Sequence, residues 1–296
     1  MRLISFNTGG NEAVGVLRDD QVFPLDALLG RTVGNMREVI SAGPGLLEEI
    51  GAALNGTDEK SLPLSSVTLL PVVTDPQKII CIGLNYADHA KEGGNPIPEY
   101  PALFMRAPNS LMASGDAMVR PACSDTLDYE AELLLIIGRQ GKHVTEENAL
   151  DYVFGYSIFN DGSVRAYQRK GAQWTPGKNF DRTGPAGPWI VTADELPPGA
   201  AGLDIQSRLN GQVMQSSNTD QFIFTVPRII AVLSEFMTLE PGDMVAMGTP
   251  AGVGYPRNPP VFMRPGDVIE VEIEKIGVLS NPVIDEADLA SGQAAE

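Results

Sequence analysis

The sequence predicts a strand-rich α+β fold, and three observations lead to that prediction. Short apolar segments separated by Gly, Pro and Asp recur along most of the chain, which is typical of strands joined by turns. The pair Asn210-Gly211, between two alternating segments, is the signal of a tight β-hairpin. A single segment, TVPRIIAVLSEFMTLEPGD, has the apolar repeat of a convincing amphipathic helix, which begins at Thr225 with Pro227 in its first turn.

The N-terminal region, residues 1–73, predicts a small α+β domain. Alternating apolar and polar residues around Gly and Asp-Asp turns in MRLISFNTGGNEAVGVLRDDQVFPL predict an antiparallel meander. The segment MREVISAGPGLLEEIGAAL then has apolar residues at helical spacing, interrupted by Gly43-Pro44-Gly45. A proline-marked linker follows, so we place a domain boundary near Val73 and a second domain over residues 74–296.

The second domain is predicted to begin with a strand over residues 78–83, which leads into a short helix ended by Gly93-Gly94. The proline-rich residues 95–101 predict an ordered but mobile loop, which would act as a lid, before a strand over residues 102–106. A further strand is predicted over residues 153–160.

Composition and charge limit the class of partner. The chain has 296 residues with 21 Lys and Arg against 38 Asp and Glu, a formal net charge of −17. Such a surface repels phosphate backbones and anionic lipids, so we expect neither a nucleic acid nor a membrane as partner. The opening segment MRLISFNTGG lacks an apolar signal core, and no stretch approaches the roughly 20 apolar residues of a membrane helix. We therefore expect a cytoplasmic protein.

The segment DYEAELLLIIG places two acidic residues beside a core strand. Residues 133–137 are consecutive aliphatic residues, which is the pattern of a strand buried on both faces. Glu130 and Glu132 precede them, and because strand side chains alternate faces, both should point the same way. Like charges that are brought together and partly desolvated repel, and one keeps its proton unless a cation is present. A metal ion would resolve this conflict.

Asp161 is the best candidate for a third acidic ligand. It ends the apolar strand FGYSIFND, a position where a carboxylate can face a cleft or simply form a turn. Three carboxylates without His or Cys partners favour a hard ion such as Mg²⁺, Mn²⁺ or Ca²⁺ over Zn²⁺. The alternative is a solvated strand edge without an ion.

The two histidines differ in their context. His89 lies in NYADHAKE with Glu92 three residues later, so helical spacing places both on one face. A carboxylate beside an imidazole raises its basicity, as a water-activating base requires, although the same spacing also occurs in exposed helix pairs of little energetic value. His143, in GKHVTEEN, indicates a surface turn, and we assign it no role.

Two further segments offer groups to an anionic ligand. Lys178, in the loop GAQWTPGKNFD, could lie against a substrate carboxylate or a developing enolate, or it could be an exposed loop lysine. The segment MGTPAGVG could present backbone N–H groups and the Thr249 hydroxyl to an anion. It matches neither a Walker loop nor the dinucleotide-binding glycine pattern, which disfavours nucleotide binding.

Eight motifs, in order, resemble those of the fumarylacetoacetate hydrolase family over residues 78–283. They are NYADHAKE, LDYEAELLLIIGR, FNDGSVR, QWTPGKNFD, GPWIVT, LNGQVMQ, GDMVAMGTPAGVG and GDVIEVEIEKIGVLSNPV. The resemblance implies a mixed β-sheet roll as the catalytic domain, a homodimer, and a metal-dependent enzyme that acts on 2,4-dioxo acids or their enols.

The resemblance also implies the roles of individual residues. The implied ligands of Mg²⁺ or Mn²⁺ are Glu130, Glu132 and Asp161. The implied catalytic residues are His89 with Glu92, which activate water, and Lys178, which stabilises an enolate. The implied substrate-binding residues are Gln173, Thr249 and Arg106, the last of which could hold a distal substrate carboxylate through two hydrogen bonds.

The implied reaction is hydrolysis of a C–C bond in an acylpyruvate such as fumarylpyruvate, in the breakdown of aromatic compounds. Water activated by His89 would attack the 4-carbonyl, and the C3–C4 bond would break to release a carboxylic acid and a pyruvate enolate. Decarboxylation of oxaloacetate and isomerisation of an unsaturated dioxo acid are alternatives at the same site. A protein that binds metal only for structure is a further alternative.

Overall fold

A computed structural model describes residues 1–55 and 61–290 of the chain. Its strands are β1 (Arg2–Thr8), β2 (Asn11–Arg18), β3 (Gln21–Pro24), β4 (Leu62–Pro63), β5 (Thr68–Leu69), β6 (Ile79–Gly83), β7 (Ala102–Met105), β8 (Leu111–Met112), β9 (Met118–Arg120), β10 (Leu127–Asp128), β11 (Ala131–Ile137), β12 (Val153–Asn160), β13 (Ser163–Val164), β14 (Gly184–Thr192), β15 (Asp204–Leu209), β16 (Gln212–Asn218), β17 (Met244–Ala246), β18 (Val268–Ile273) and β19 (Gly277–Asp285). Its α-helices are α1 (Leu25–Leu29), α2 (Met36–Ala42), α3 (Pro44–Leu54), α4 (Ala87–Glu92), α5 (Arg165–Gln168), α6 (Thr175–Lys178), α7 (Val226–Phe236) and α8 (Glu286–Ala290). The predicted strand-rich α+β class is confirmed.

The largest sheet runs in the order β4-β3-β2-β1-β14-β12-β11-β17-β6-β7. Its first strands form the predicted antiparallel meander, in which β1 pairs with β2 and β2 with β3. Strand β1 also pairs with β14, through Arg2 opposite Val191, so the N-terminal strands and the later strands share one sheet. The domain boundary near Val73 stays a prediction.

A second sheet has the order β16-β15-β18-β19-β9, and β10 pairs with β13 in a separate ribbon. The β15–β16 hairpin turns at Asn210 and Gly211, whose φ angles of 53° and 79° are those that such a tight turn requires. The β10–β13 ribbon helps to assemble the candidate site. It brings Asp128 opposite Ser163 and so aligns the two segments that carry the acidic residues.

The central strand β11 is buried on both faces, as its aliphatic run predicted. Leu133, Leu135 and Ile137 belong to one core cluster, whereas Leu134 and Ile136 belong to another on the opposite face of the sheet. Each fully buried aliphatic side chain contributes about 1.5–3 kcal/mol relative to an exposed one. The segment that leads into this strand is therefore held rigidly, and so are the acidic residues on it.

The amphipathic helix α7 begins after Thr225, as predicted, and covers one face of the large sheet. Its Ile229, Ile230 and Leu233 join the same core cluster as Leu133. No helix in the two described ranges is long and apolar enough to cross a membrane. The expected homodimer, the cytoplasmic location and the lack of a nucleic-acid partner stay predictions.

Candidate active site

A cavity of about 200 Å³ lies where strands β6 and β11 and the turn after β12 meet helices α4 and α6. Among its lining residues are the predicted residues His89, Glu130, Glu132, Asp161, Lys178 and Thr249. The structure therefore brings most of the predicted site residues together around one space. The other predicted residues, Glu92, Arg106 and Gln173, lie outside this lining.

Antiparallel pairing between β11 and β12 assembles the three carboxylates. Ala131 lies opposite Asn160, so the residue before β11 and the residue after β12 become neighbours. The Asp161 backbone N–H donates to the Glu130 carbonyl at 3.0 Å, and the Glu130 N–H donates to Asn160 Oδ1 at 2.9 Å. Glu130, Glu132 and Asp161 are all buried, and each places one carboxylate oxygen within 4.8 Å of the other two.

Glu130 lies between two buried cations. Lys178 Nζ donates to its Oε2 at 2.7 Å, and Arg165 Nη1 lies 2.6 Å from its Oε1. Burial alone would raise the pKa of the Glu130 carboxyl, but Lys178 and Arg165 outweigh it and lower that pKa to about 2. Glu130 is therefore ionised.

Glu132 has a different environment, because no cationic side chain of the described residues pairs with it. Its Oε2 accepts a hydrogen bond from the Gly248 N–H at 2.9 Å. Burial, followed by the negative charges of Asp161 and Glu130, raises the pKa of Glu132 well above its ordinary value. The triad thus contains one carboxyl that no cationic side chain of residues 1–55 and 61–290 compensates.

Asp161 is held by Lys178, whose Nζ lies 2.6 Å from Oδ2, and by Arg106, whose Nη1 lies 2.6 Å from Oδ1. The Arg106 side chain is completely buried. Its other hydrogen bonds go to oxygen atoms of Ser110, Gly162 and Thr183. The position of Arg106 does not support the prediction that it binds a distal substrate carboxylate, because the guanidinium is buried and each of its three nitrogens already donates to a group of the protein.

Lys178 ends the short helix α6 and is buried, not an exposed loop lysine. Burial would lower the pKa of its ammonium group, but Asp161 and Glu130 raise it above its ordinary value. The side chain is therefore charged and fixed at the cavity wall, 5.1 Å from the centre of the Phe104 ring. Its predicted contact with substrate stays a prediction.

The carboxylate triad fits a divalent metal site. Ligands on opposite sides of an octahedral Mg²⁺ are about 4.2 Å apart, twice the Mg–O distance, so oxygen atoms within 4.8 Å of one another need to move only slightly. Carboxylates are the donors that hard ions prefer. A divalent cation would also compensate Glu132, for which the structure describes no cationic partner.

His89 and Glu92 lie on helix α4 at the entrance of the cavity. His89 Nδ1 is buried 3.5 Å from Glu92 Oε2, without a hydrogen bond to any described residue, and the imidazole lines the cavity. Glu92 itself accepts from the Gly252 N–H at 3.0 and 3.1 Å. The carboxylate thus ties α4 to the glycine-rich loop while it faces the imidazole.

Thr249 lies in the cavity wall, and a residue that the sequence analysis missed orients it. Gln215 Nε2 donates to Thr249 Oγ1 at 2.7 Å, so the hydroxyl proton of Thr249 is free to donate elsewhere. The Gln215 Oε1 accepts from the Ala131 N–H at 3.0 Å, on the strand between the two glutamates. Gln215 is the last residue of the motif LNGQVMQ. That motif was used only for its hairpin signal and for the family resemblance, so Gln215 was assigned no role.

Gln173 is exposed and does not line the cavity, so its predicted substrate contact is not supported by its position. The neighbouring Trp174 lines the cavity instead and packs edge-on against Phe104, with ring centres 5.5 Å apart. The sequence did offer a signal for the role of Trp174 in the cavity wall, because this aromatic residue directly follows the predicted site residue Gln173.

A second layer of charge behind Glu130 was also missed. Arg165 Nε donates to Asp128 Oδ2 at 2.8 Å while its Nη1 contacts Glu130. Asp128 in turn accepts from the Gly254 and Tyr255 backbone N–H groups, at 2.8 and 3.0 Å. This network fixes the glycine-rich loop to the triad. Residues so far apart in sequence carry no local pattern that predicts it.

Comparison with known proteins identifies similar chains. The model of the fumarylacetoacetate (FAA) hydrolase C-terminal family matches residues 78–284. The mitochondrial oxaloacetate tautomerase fahd2 of Xenopus laevis is 40% identical over 290 residues, which cover 96% of this chain and 90% of the relative.

Solved structures are similar as well. The structure of fumarylacetoacetate hydrolase from Exiguobacterium antarcticum has a TM-score of 0.83 and 37% identity, covering 97% of this chain and 100% of that chain. The structure of maleylpyruvate hydrolase from Sphingobium sp., in complex with manganese(II) and pyruvate, has a TM-score of 0.80 and 34% identity, covering 96% of this chain and 99% of that chain.

Proposed function

Since the chain belongs to the fumarylacetoacetate hydrolase family of enzymes, we propose that it is a divalent-metal-dependent enzyme that interconverts the keto and enol forms of oxaloacetate. The observation that carries this proposal is the buried carboxylate triad, which faces a cavity that His89 also lines and in which Glu132 has no cationic partner within the described part of the chain. Such a site can hold a cation, a small oxo acid and a base in contact with one another.

The similarity to the Xenopus tautomerase supports this choice of reaction. It covers 96% of this chain, so it includes the N-terminal strands as well as the residues of the cavity. Keto–enol exchange is also the simplest reaction that the site can support, because it needs only removal of a proton from one substrate atom and its delivery to another.

The residues have distinct tasks in this reaction. Glu130, Glu132 and Asp161 would hold Mg²⁺ or Mn²⁺, and the bound ion supplies a Lewis acid that polarises the 2-oxo group. His89 takes a proton from C3 of the keto form at Nε2 and gives it to the 2-oxygen to complete the enol. Glu92, 3.5 Å from Nδ1, stabilises the imidazolium between these two steps.

Other groups at the cavity bind the substrate and stabilise developing charge. Lys178 Nζ already donates to Glu130 and to the Asp161 carboxylate, and its third N–H, which makes only a 3.5 Å contact with the Asp161 carbonyl, donates to the oxygen atom that becomes negative as the C3 proton leaves. The Thr249 hydroxyl, whose oxygen already accepts from Gln215, donates to a carboxylate oxygen of the substrate. The side chains of Phe104 and Trp174 cover the cavity on another side and reduce the access of water.

Hydrolysis of an acylpyruvate is a second candidate, and the His89–Glu92 pair is the observation that favours it. The imidazole at the cavity entrance can take a proton from water as well as from carbon, and the activated water would then attack the 4-carbonyl. The similarity to maleylpyruvate hydrolase supports the same reaction class.

A parallel assay separates these reactions. We expect the Mn²⁺-loaded protein to accelerate the decay of enol-oxaloacetate absorbance, and EDTA to abolish the acceleration. Pyruvate release from fumarylpyruvate and from oxaloacetate, measured under the same conditions, reports hydrolysis and decarboxylation. A protein that cleaves fumarylpyruvate but leaves enol decay at the rate of buffer with Mn²⁺ would be a hydrolase. If none of these substrates reacts, both candidate functions are wrong.

A further inference from the structure

Arg169 is a cation at the cavity for which the described residues provide no acidic partner. It follows helix α5, is exposed to solvent, and lines the same cavity as the carboxylate triad. The other lining cations differ, since Lys178 pairs with Glu130 and Asp161, and Arg165 pairs with Glu130 and with an aspartate behind it. Among the described residues, the two buried cations of the lining are thus paired with carboxylates, although Arg165 Nη2 makes no hydrogen bond, whereas the exposed Arg169 has no acidic partner.

An aromatic ring fixes the position of this charge. The guanidinium carbon of Arg169 lies 4.3 Å from the centre of the Tyr255 ring, and the guanidinium carbon of Arg165 lies 4.8 Å from the same ring. The Tyr255 backbone N–H donates to Asp128, which ties the ring to the network behind the triad. A stacked guanidinium retains its hydrogen-bond donors in the plane of the group, where an incoming anion can meet them.

A planar guanidinium with unused donors binds a carboxylate through two parallel hydrogen bonds. A 2-oxo acid would direct its keto and first carboxylate oxygens toward the metal site, so any second carboxylate would lie away from the triad. Burying that second carboxylate without a cation beside it would be costly. We propose that Arg169 binds the distal carboxylate, so that the enzyme selects 2-oxo dicarboxylic acids over 2-oxo monocarboxylic acids. This inference rests on the proposed metal-dependent reaction and names the substrate class for it.

Gln168 supports the same assignment. It also lines the cavity, and its Oε1 accepts a hydrogen bond from Arg165 Nη1 at 2.9 Å, which leaves its amide N–H₂ group as a donor next to Arg169. The mouth therefore offers neutral and charged donors together. Arg106, to which the sequence analysis gave the distal carboxylate, is separated from this region by its buried contact with Asp161.

Oxaloacetate and pyruvate are a matched pair of probes, because they differ only in the distal carboxylate. Calorimetric titration of the Mn²⁺-loaded protein measures the affinity for each ligand. Keto–enol exchange consumes neither ligand, and pyruvate release is measured in the same samples because Mn²⁺ also promotes decarboxylation of oxaloacetate. We expect Arg169→Met to weaken the binding of oxaloacetate about tenfold, as for loss of a hydrogen-bonded charge pair. The affinity for pyruvate should change by less than about twofold, as for a surface substitution. The KM for oxaloacetate should rise with the dissociation constant, whereas kcat should change little.

Lys170→Met is the matched control. Lys170 is the next residue, is exposed, and lies over the Tyr167 ring outside the cavity lining, so its removal changes net charge equally without touching the mouth. The proposal would be overturned if the two variants lost equal affinity for oxaloacetate, or if Arg169→Met weakened the binding of oxaloacetate and pyruvate equally. It would also be overturned if the unaltered protein did not prefer oxaloacetate to pyruvate. The unaltered protein could prefer oxaloacetate to pyruvate, and Arg169→Met could abolish that preference, without any acceleration of enol decay. That result would support the role of Arg169 and contradict the proposed tautomerase function.

Discussion

The floor and the mouth of the cavity use charge in opposite ways. The floor consists of the buried side chains Glu130, Glu132, Asp161 and Lys178. The mouth consists of the more accessible side chains His89, Arg169 and Tyr255. Most charges at the floor are paired with other buried charges, whereas the ionisable groups at the mouth have weak partners or none among the described residues. The floor is therefore built into the fold, and the mouth is left available to a substrate.

This difference predicts which variants lose stability and which lose turnover or substrate affinity. Removing a charge at the floor leaves its partner buried and uncompensated, so the free energy of unfolding should fall. Removing a group at the mouth exposes nothing that was buried, so stability should hold while turnover or affinity changes. Glu132 is the exception at the floor, because among the residues that the structure describes it has a backbone donor but no cationic partner.

The largest loss of stability is expected for Arg106→Met, behind the floor. The substitution leaves the buried Asp161 carboxylate with Lys178 as its remaining cationic partner and frees the oxygen atoms that Arg106 contacted. Breaking a buried ion pair typically costs about 3–5 kcal/mol, and we expect a loss of that size. Urea denaturation in the presence of EDTA measures it without a contribution from bound metal.

Arg120→Met provides the comparison for that experiment. Arg120 lies 2.7 Å from Asp285, but both side chains are partly exposed. A pair of this kind contributes at most about 1 kcal/mol, so its loss should be much smaller. If Arg106→Met and Arg120→Met lowered the free energy of unfolding equally, burial would not strengthen the ion pair behind the floor. The comparison between floor and mouth would then be wrong.

The sequence predicted the floor well for a physical reason. Period-two alternation was enough to predict that Glu130 and Glu132 point the same way, whereas Asp161 was a candidate because it ends another strand, and its place beside them came from the family resemblance. Arg106 was located on the correct strand end but given the wrong contact, because no local pattern tells which neighbour a buried guanidinium meets. Arg169 was missed because its significance depends on what the other cations pair with.

The largest loss of turnover is expected for His89→Ala at the mouth. Loss of a general base lowers kcat by about 100-fold or more. The affinity for Mn²⁺ should be unchanged, because His89 is not in the carboxylate triad. The enol-decay assay measures the first quantity and calorimetry the second.

His143→Asn is the control for His89→Ala, since His143 is exposed and remote from the cavity lining. Its φ angle is 53°, a left-handed value that Asn tolerates better than Ala. Turnover in this variant should match the unaltered protein. A His89→Ala protein that retains full activity would exclude the proposed role of the imidazole, and another group would have to act as the general base.

Glu130→Gln and Glu132→Gln should change stability in opposite directions, although both weaken metal binding. Neutral Gln at position 130 removes the charge that Lys178 and Arg165 contact, so the metal-free protein should lose about 1.5–3 kcal/mol. Gln at position 132 removes a buried carboxyl whose pKa is raised well above its ordinary value, and which therefore costs stability at neutral pH, while its amide oxygen can still accept from Gly248, so the melting temperature should rise.

Metal affinity completes the test of the two glutamates. Loss of a direct ligand should weaken Mn²⁺ binding by more than the roughly 10–100-fold that follows from loss of a supporting contact alone. Differential scanning fluorimetry with EDTA and calorimetry with Mn²⁺ give the two quantities for the same preparations. If Glu132→Gln binds Mn²⁺ as tightly as the unaltered protein, Glu132 is not a ligand and the metal site must be assigned differently.

The smallest effect is expected for Tyr255→Leu, which removes the ring beneath Arg169. A cation–π contact at an exposed site contributes about 0.5–1 kcal/mol, equivalent to a rise of about two- to fivefold in the KM for oxaloacetate. Tyr255→Phe retains the ring and should leave KM unchanged. The ring also contacts Arg165, but that residue is anchored by Asp128 and Glu130, so pyruvate affinity should be the same in both variants. A fall in pyruvate affinity in Tyr255→Leu would mean that the ring supports the floor as well, and that floor and mouth are not independent.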